Sequence, residues 1–238
     1  MTIQKSSSLI GIRGEIPFKY LVFILIAVIL MIAGGFFYQR EQLSESPNFS
    51  QAAFNPQTEV NTAALMADEK QWLMFMREEE KLARDFYMEM YNAWGLSIFV
   101  GMSKEEKEHL NSLLEIFRMY FLPDPIGIDT PRSYANNYLA NVHNSLYNQG
   151  IQSIKDGLKA CALQEEINIL DLDSAIKSTQ KRNIQKVYSE LQRDSFNHLR
   201  SFARCLETMG ERYQAVKLPQ QTVDAIILDV MDRGFMLR

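Results

Sequence analysis

The side chains able to do chemistry are acids and imidazoles placed at helical spacing. Glu80, within MREEEKLARDFY at 76–87, shares a stripe stepped by three and four with Leu73, Met76, Ala83, Tyr87, Met90 and Trp94. Such a stripe is the side of a helix that packs inward, where a lone carboxylate is costly. Glu79 lies on the adjacent stripe of Trp72, Phe75, Leu82 and Phe86 and is the fallback for Glu80. Glu78 falls with Gln71, Lys81 and Asp85, where the EEEK run reads as a solvated face. A second stripe, Met102, Glu106, His109, Leu113, Ile116 and Tyr120, carries a Glu and a His three apart, while Glu105, Glu108 and Glu115 face elsewhere. A third, Ile154, Leu158, Cys161, Glu165, Asn168 and Leu172, has Glu165 as its acid, with Glu166 one step off. A fourth, Tyr188, Leu191, Ser195, His198, Phe202, Cys205 and Met209, brings in His198 with Ser195 three residues before it.

Carboxylate and imidazole donors on four inward stripes suit two metal ions, iron in first place and manganese as the other fit. In di-iron carboxylate bundles two helices give one Glu each and two give Glu-x-x-His, and the metals neutralise charges that burial would otherwise penalise. The order here is Glu, Glu-x-x-His, Glu, His, so Ser195 stands where a ligand carboxylate is expected. Asp194 or Glu190 would have to compensate, or water completes the second metal, or one metal binds. Ser103 and Glu106 also fit a capping box, which needs no metal. The 12 methionines read as core filling rather than copper ligands, and His143 reads as surface.

The elements that must position these groups follow from the same stepping. It predicts helices over 62–94 with Gly95 as the stop, from Ser103 to just before Pro123, from the Ser153 cap to Leu172, and over 184–209. A connecting helix within 132–150 follows the proline-rich loop at 122–131, and Pro219 opens a short last helix through Val230. No segment alternates as a strand, so the fold class is all-α. The chain has 238 residues, 47% hydrophobic and 23% charged, which excludes a collagen, a disulfide miniprotein and wholesale disorder. A net charge of -4 argues against nucleic acid as a partner. With 2 cysteines neither a zinc ribbon nor a four-thiolate iron–sulfur cluster is available, and no Ser-His-Asp or HExxH arrangement supports a hydrolase. Cys161 and Cys205 have offsets from Glu165 and His198 that would let a disulfide staple the third and fourth helices, with two free thiols as the alternative.

The strings MREEEKLARDFY at 76–87, EKEH at 106–109, LQEEINILDL at 163–172 and SFNHLRSF at 195–202 resemble an uncharacterised prokaryotic ferritin-like domain family with an MREEEKLARD signature. The resemblance spans about residues 68–210. A more distant rubrerythrin- and ferritin-like pattern is similar to Glu80, Ala83, Arg84 and Tyr87, which favours Glu80 over Glu79. The resemblance implies a ferritin-like four-helix bundle but supplies no reaction, because the family's activity is unassigned.

Residues 20–38 carry no charge and at 1.5 Å per residue cover roughly the 30 Å hydrocarbon core. They read as a transmembrane anchor. Lys5, Arg13 and Lys19 precede it, which predicts a cytoplasmic N-terminus at 1–19 and a domain on the extracytoplasmic side of the cell membrane. Ala33, Gly34 and Gly35 suggest a cleaved signal peptide instead, but the apolar run is longer than such segments need. Residues 39–61 read as a flexible tether, 62–210 as the bundle and 211–238 as a tail with a short helix. The expected function is a membrane-anchored di-metal oxidase or peroxide-reactive protein with Glu80, Glu106, His109, Glu165 and His198 as ligands and Tyr87 as an accessory group. It would need an electron donor from elsewhere, since the chain has no four-cysteine rubredoxin-like module. A homodimer is compatible with this organisation, and a closed storage cage fits poorly with an anchor. The alternative is a non-catalytic binding or structural module whose metal site is incomplete.

Overall fold

Apolar residues stepping by three and four wind the chain into helices α1 (Ala67–Trp94), α2 (Ser97–Met119), α3 (Asn137–Gly150), α4 (Ile154–Lys177), α5 (Arg182–Thr208) and α6 (Gln220–Leu228). The structure, a computed structural model, describes residues 64–229, and among these there is no strand. No helix among the described residues is long and apolar enough to cross a membrane. The charge-free run at 20–38, the tether at 39–61 and the expected end of the last helix at Val230 lie outside the described residues.

Local signals set the helix ends. At the start of α1 the Glu69 carboxylate accepts from the Met66 amide at 2.8 Å. Gly95 ends the helix with φ 67°, a left-handed conformation that favours glycine, and its N–H donates to the Tyr91 carbonyl at 2.7 Å. Ser153 caps α4 as expected, accepting from the Asp156 amide at 3.1 Å. Helix α2 begins at Ser97 rather than Ser103, because the left-handed Gly95 turns the chain at once and buries Phe99. Ser103 is thus inside the helix, where its hydroxyl donates to the Arg84 carbonyl at 2.9 Å, and the capping-box reading of Glu106 is excluded. Helix α4 runs past Leu172 to Lys177, burying Ala175 on the way.

Helix α1 packs against α2 and α4, and α5 packs against the same two, so the four long helices close a ring around one interior. Helix α3 lies across α1 and α4, and α6 against α5. Helices α1 and α4 are antiparallel: Thr179 donates to Glu69 at one end (2.6 Å), Asn168 to Glu80 in the middle (3.1 Å), and Trp94 meets Gly150 and Gly157 at the other. A Cβ on Gly150 would come within 2.6 Å of the Met90 sulfur, so glycine is what lets α3 end against α1.

Two apolar clusters fill the interior. One holds Leu73, Met76, Leu113, Phe117, Leu172, Tyr188 and Leu191, the other Leu82, Phe86, Met90, Phe99, Leu158, Leu199, Phe202 and Leu206. On each long helix the inward acid or imidazole lies between these clusters. Each buried Leu or Phe contributes about 1.5–3 kcal/mol, whereas each buried charge costs several kcal/mol. The bundle therefore carries a polar layer whose burial opposes folding.

Candidate metal centre

Four helices deliver the polar layer to one place. Helix α1 supplies Glu80, α2 Glu106 and His109, α4 Glu165 and α5 His198. All five side chains are buried, the three carboxylates completely. They form two groups, Glu80–Glu106–His109 and Glu106–Glu165–His198, each with one donor atom per residue and these atoms within 4.8 Å of one another. Glu106 belongs to both.

His109 Nδ1 lies 2.7 Å from Glu106 Oε2 and 3.0 Å from Glu80 Oε2. His198 Nδ1 lies 3.2 Å from Glu165 Oε1 and 2.9 Å from Glu106 Oε1. The two imidazoles stack, with ring centroids 5.7 Å apart. Both rings thus present Nδ1 to the carboxylates and turn Nε2 outward, where His198 meets Glu105 at 2.9 Å and His109 meets Asp194 at 3.5 Å. A carboxylate behind Nε2 holds a proton there, so a cation that displaces the Nδ1 proton meets a lone pair already aimed at the carboxylates, the support a metal-ligating histidine has.

Burial and the neighbouring Glu106 push Glu80 up to about 8. Burial alone would raise Glu106 too, yet the imidazoles of His109 and His198 hold it well below the usual carboxylate range. Glu165 is raised by burial despite His198 beside it. Both imidazoles are raised well above 6.5: burial opposes this, but Glu106 for His109, and Glu165 with Glu106 for His198, outweigh it. Glu165 Oε2 and Glu106 Oε1 are buried without a hydrogen bond, the second despite lying near His198 Nδ1. Buried carboxylate oxygens with no donor, beside imidazole nitrogens, fit cations, and the donor set suits iron, manganese or zinc.

Tyr87 also joins the site, its hydroxyl donating to Glu165 Oε1 at 2.5 Å. The three alternative acids lie outside both donor groups. Glu190 lies on the outer face of α5, with Lys186 3.9 Å away, because it is two turns before His198 and off the inward stripe. Asp194 supports His109 from behind instead of joining either donor group. Glu79 stays outside both groups, buried beside Asp171, and burial followed by Asp171 raises it well above its ordinary value. Ser195 donates its hydroxyl to the Leu191 carbonyl at 3.1 Å and presents no ligand. Cys161 and Cys205 are free thiols.

Several charged residues placed off the inward stripes, and one histidine that reads as surface, are interior. Glu78 accepts from the Ala135 and Asn136 amides at the start of α3, the latter at 3.0 Å. Lys81 is fully buried, donating to Asp85 at 2.5 Å and to the Thr130 carbonyl at 2.8 Å. Glu166 accepts from Tyr213 Oη and the Lys217 and Leu218 amides, each at 2.6 Å, and from the Val216 amide at 3.0 Å. His143 is 1% exposed between Tyr134 and Glu89. Most of these carboxylates bind loop backbone, whose donors leave no mark in side-chain periodicity.

Residues 69–229 match the family described as uncharacterized protein domain DUF2202. The chain is 35% identical over 167 residues to the uncharacterized protein MJ0754 of Methanocaldococcus jannaschii, a match spanning 70% of this chain and 90% of that protein. A crystal structure of the hypothetical protein MJ0754 superposes with a TM-score of 0.68 at 34% identity, covering 70% of this chain and 95% of the other.

Proposed function

The chain belongs to the DUF2202 family, and on that premise we propose that it is a membrane-anchored ferritin-like four-helix bundle holding two metal ions, iron in first place and manganese as the other candidate. The observation that carries the reading is the pair of buried donor groups sharing Glu106, with an outer carboxylate behind each imidazole. Glu80 and His109 would hold one ion, Glu165 and His198 the other, and Glu106 would serve both. Bound iron supplies redox chemistry toward O2 or peroxide. Tyr87 orients Glu165, Asn168 orients Glu80, and Asp194 and Glu105 fix the two imidazoles. The apolar clusters on either side keep water from the layer. Residues 20–38 would anchor the domain on the extracytoplasmic side, with 1–19 in the cytoplasm.

Ser195 favours a second reading, a non-catalytic module with an incomplete site, because its hydroxyl is spent on the Leu191 carbonyl. Glu80→Ala and His109→Ala in the full-length chain separate the two. The metal reading expects each variant to lose bound iron and the stability that iron confers. Variants as stable as the parent or more so, with no metal bound by either, would support the module.

A further inference from the structure

A second buried polar assembly lies on the other side of α1, outside the metal centre. Tyr134, half-buried in the stretch between α2 and α3, has its hydroxyl 2.5 Å from His143 Nδ1. His143 Nε2 lies 2.9 Å from Glu89 Oε2, and Arg132 pairs with the other oxygen of Glu89. Burial opposes ionisation of Glu89, but His143 and Arg132 bring it below its ordinary value, so it is an acceptor only. With Glu89 facing Nε2, the tautomer of His143 that carries a single proton has it on Nε2; Nδ1 then offers a lone pair, to which the Tyr134 hydroxyl donates. Burial, with Asp85 and Glu89 nearby, raises the Tyr134 phenol well above its usual value, so it keeps its proton in the resting state. Lys81 Nζ sits 4.7 Å from the ring centroid, which disfavours loss of an electron unless a proton leaves with it.

From this phenol a ladder of rings leads inward. Tyr134 and His143 have centroids 5.6 Å apart, His143 and Phe86 6.1 Å, and Phe86 and Tyr87 6.0 Å. Tyr87 ends on Glu165.

We propose that Tyr134, His143 and Glu89 form a proton-coupled redox site that relays single electrons from a one-electron donor at the surface to the buried centre. The relay's destination rests on the metal reading above; the redox site itself does not. When the phenol loses one electron, its O–H bond breaks and an Nδ1–H bond forms on His143, giving a tyrosyl radical and an imidazolium held by Glu89. The electron passes along the rings toward the centre, where peroxide is the oxidant: two such electrons, with two protons from solvent, take one peroxide to two waters. The surface donor then gives one electron to the tyrosyl, and the proton returns from Nδ1, so one electron moves with no net proton.

The test uses the full-length chain freed of metal with a chelator and photo-oxidised ruthenium tris-bipyridyl as the one-electron oxidant. Electron paramagnetic resonance should show a tyrosyl signal that is lost in Tyr134→Phe and kept in Tyr138→Phe, a tyrosine that is 55% exposed. His143→Phe should slow its formation roughly 100-fold, the worth of a positioned base. Formation in the parent should also be slower in D2O, a readout that depends on no variant folding. A signal unchanged in Tyr134→Phe, or equal rates in D2O, overturns the proposal. In iron-loaded chain, peroxide consumption with ascorbate as the electron donor should be roughly 10-fold slower in Tyr134→Phe, and an unchanged rate overturns the relay. A radical without metal uptake would count against the metal reading alone, and metal uptake without a radical against this site alone.

Discussion

Raising the pH should destabilise the metal-free chain, and the polar layer sets by how much. Glu80 goes from its ordinary 4.5 to about 8 in the fold, through burial first and Glu106 second. The folded chain therefore keeps a proton that the unfolded chain releases above pH 4.5. Glu79 and Glu165 are raised as well, chiefly by burial. Above pH 6.5, His109 and His198 add to the imbalance, because neighbouring carboxylates outweigh burial and raise both. Each proton held only by the folded state costs about 1.4 kcal/mol of stability per pH unit. For Glu80 alone that amounts to about 5 kcal/mol between pH 4.5 and 8. Glu105, Glu106 and Asp194 are held low, so their contribution is complete within this window and is lost only at more acid pH. Urea unfolding of the full-length chain in chelator at pH 5, 6, 7 and 8 should thus show stability falling steadily. Glu80→Gln, which cannot take part in the titration, should flatten the slope by about 1.4 kcal/mol per pH unit and be the more stable form at pH 8. A metal-free parent whose stability is flat or rises from pH 5 to 8 would refute the reasoning. Metal ligation displaces the same protons, so metal affinity should rise over this range.

Other perturbations read other parts of the account. Glu166→Ala strands the Tyr213 hydroxyl and the Val216, Lys217 and Leu218 amides, so it should cost about 3–5 kcal/mol in urea unfolding and speed hydrogen exchange at 216–218. Glu190→Ala should leave metal uptake and stability within about 0.5 kcal/mol of the parent, whereas Asp194→Ala, which removes the carboxylate behind His109, should weaken metal binding about 10- to 100-fold. A thiol reagent should label half-buried Cys205 in the folded chain and reach buried Cys161 only on unfolding.

The inward stripes were legible because the helical period puts every third or fourth residue on one face, so an acid or imidazole among apolar neighbours stands out. Glu80, Glu106, His109, Glu165 and His198 stand out in this way, and the structure brings all five together. Glu105 does not, because its role depends on α5 reaching α2 from 93 residues away. Glu78 and Glu166 do not stand out in the sequence, because their partners are backbone amides of segments with no helical period. His143 reads as surface in the sequence because the loop carrying Tyr134, which folds over it, has no helical period to show this. The start of α2 was misplaced because a left-handed glycine lets one helix follow another with almost no linker.

The most direct measurement is the count of metal bound per full-length chain after anaerobic ferrous iron, taken before and after admitting air. The account predicts about two irons per chain and a near-ultraviolet charge-transfer band that develops in air. A chain that binds neither iron nor manganese would contradict it.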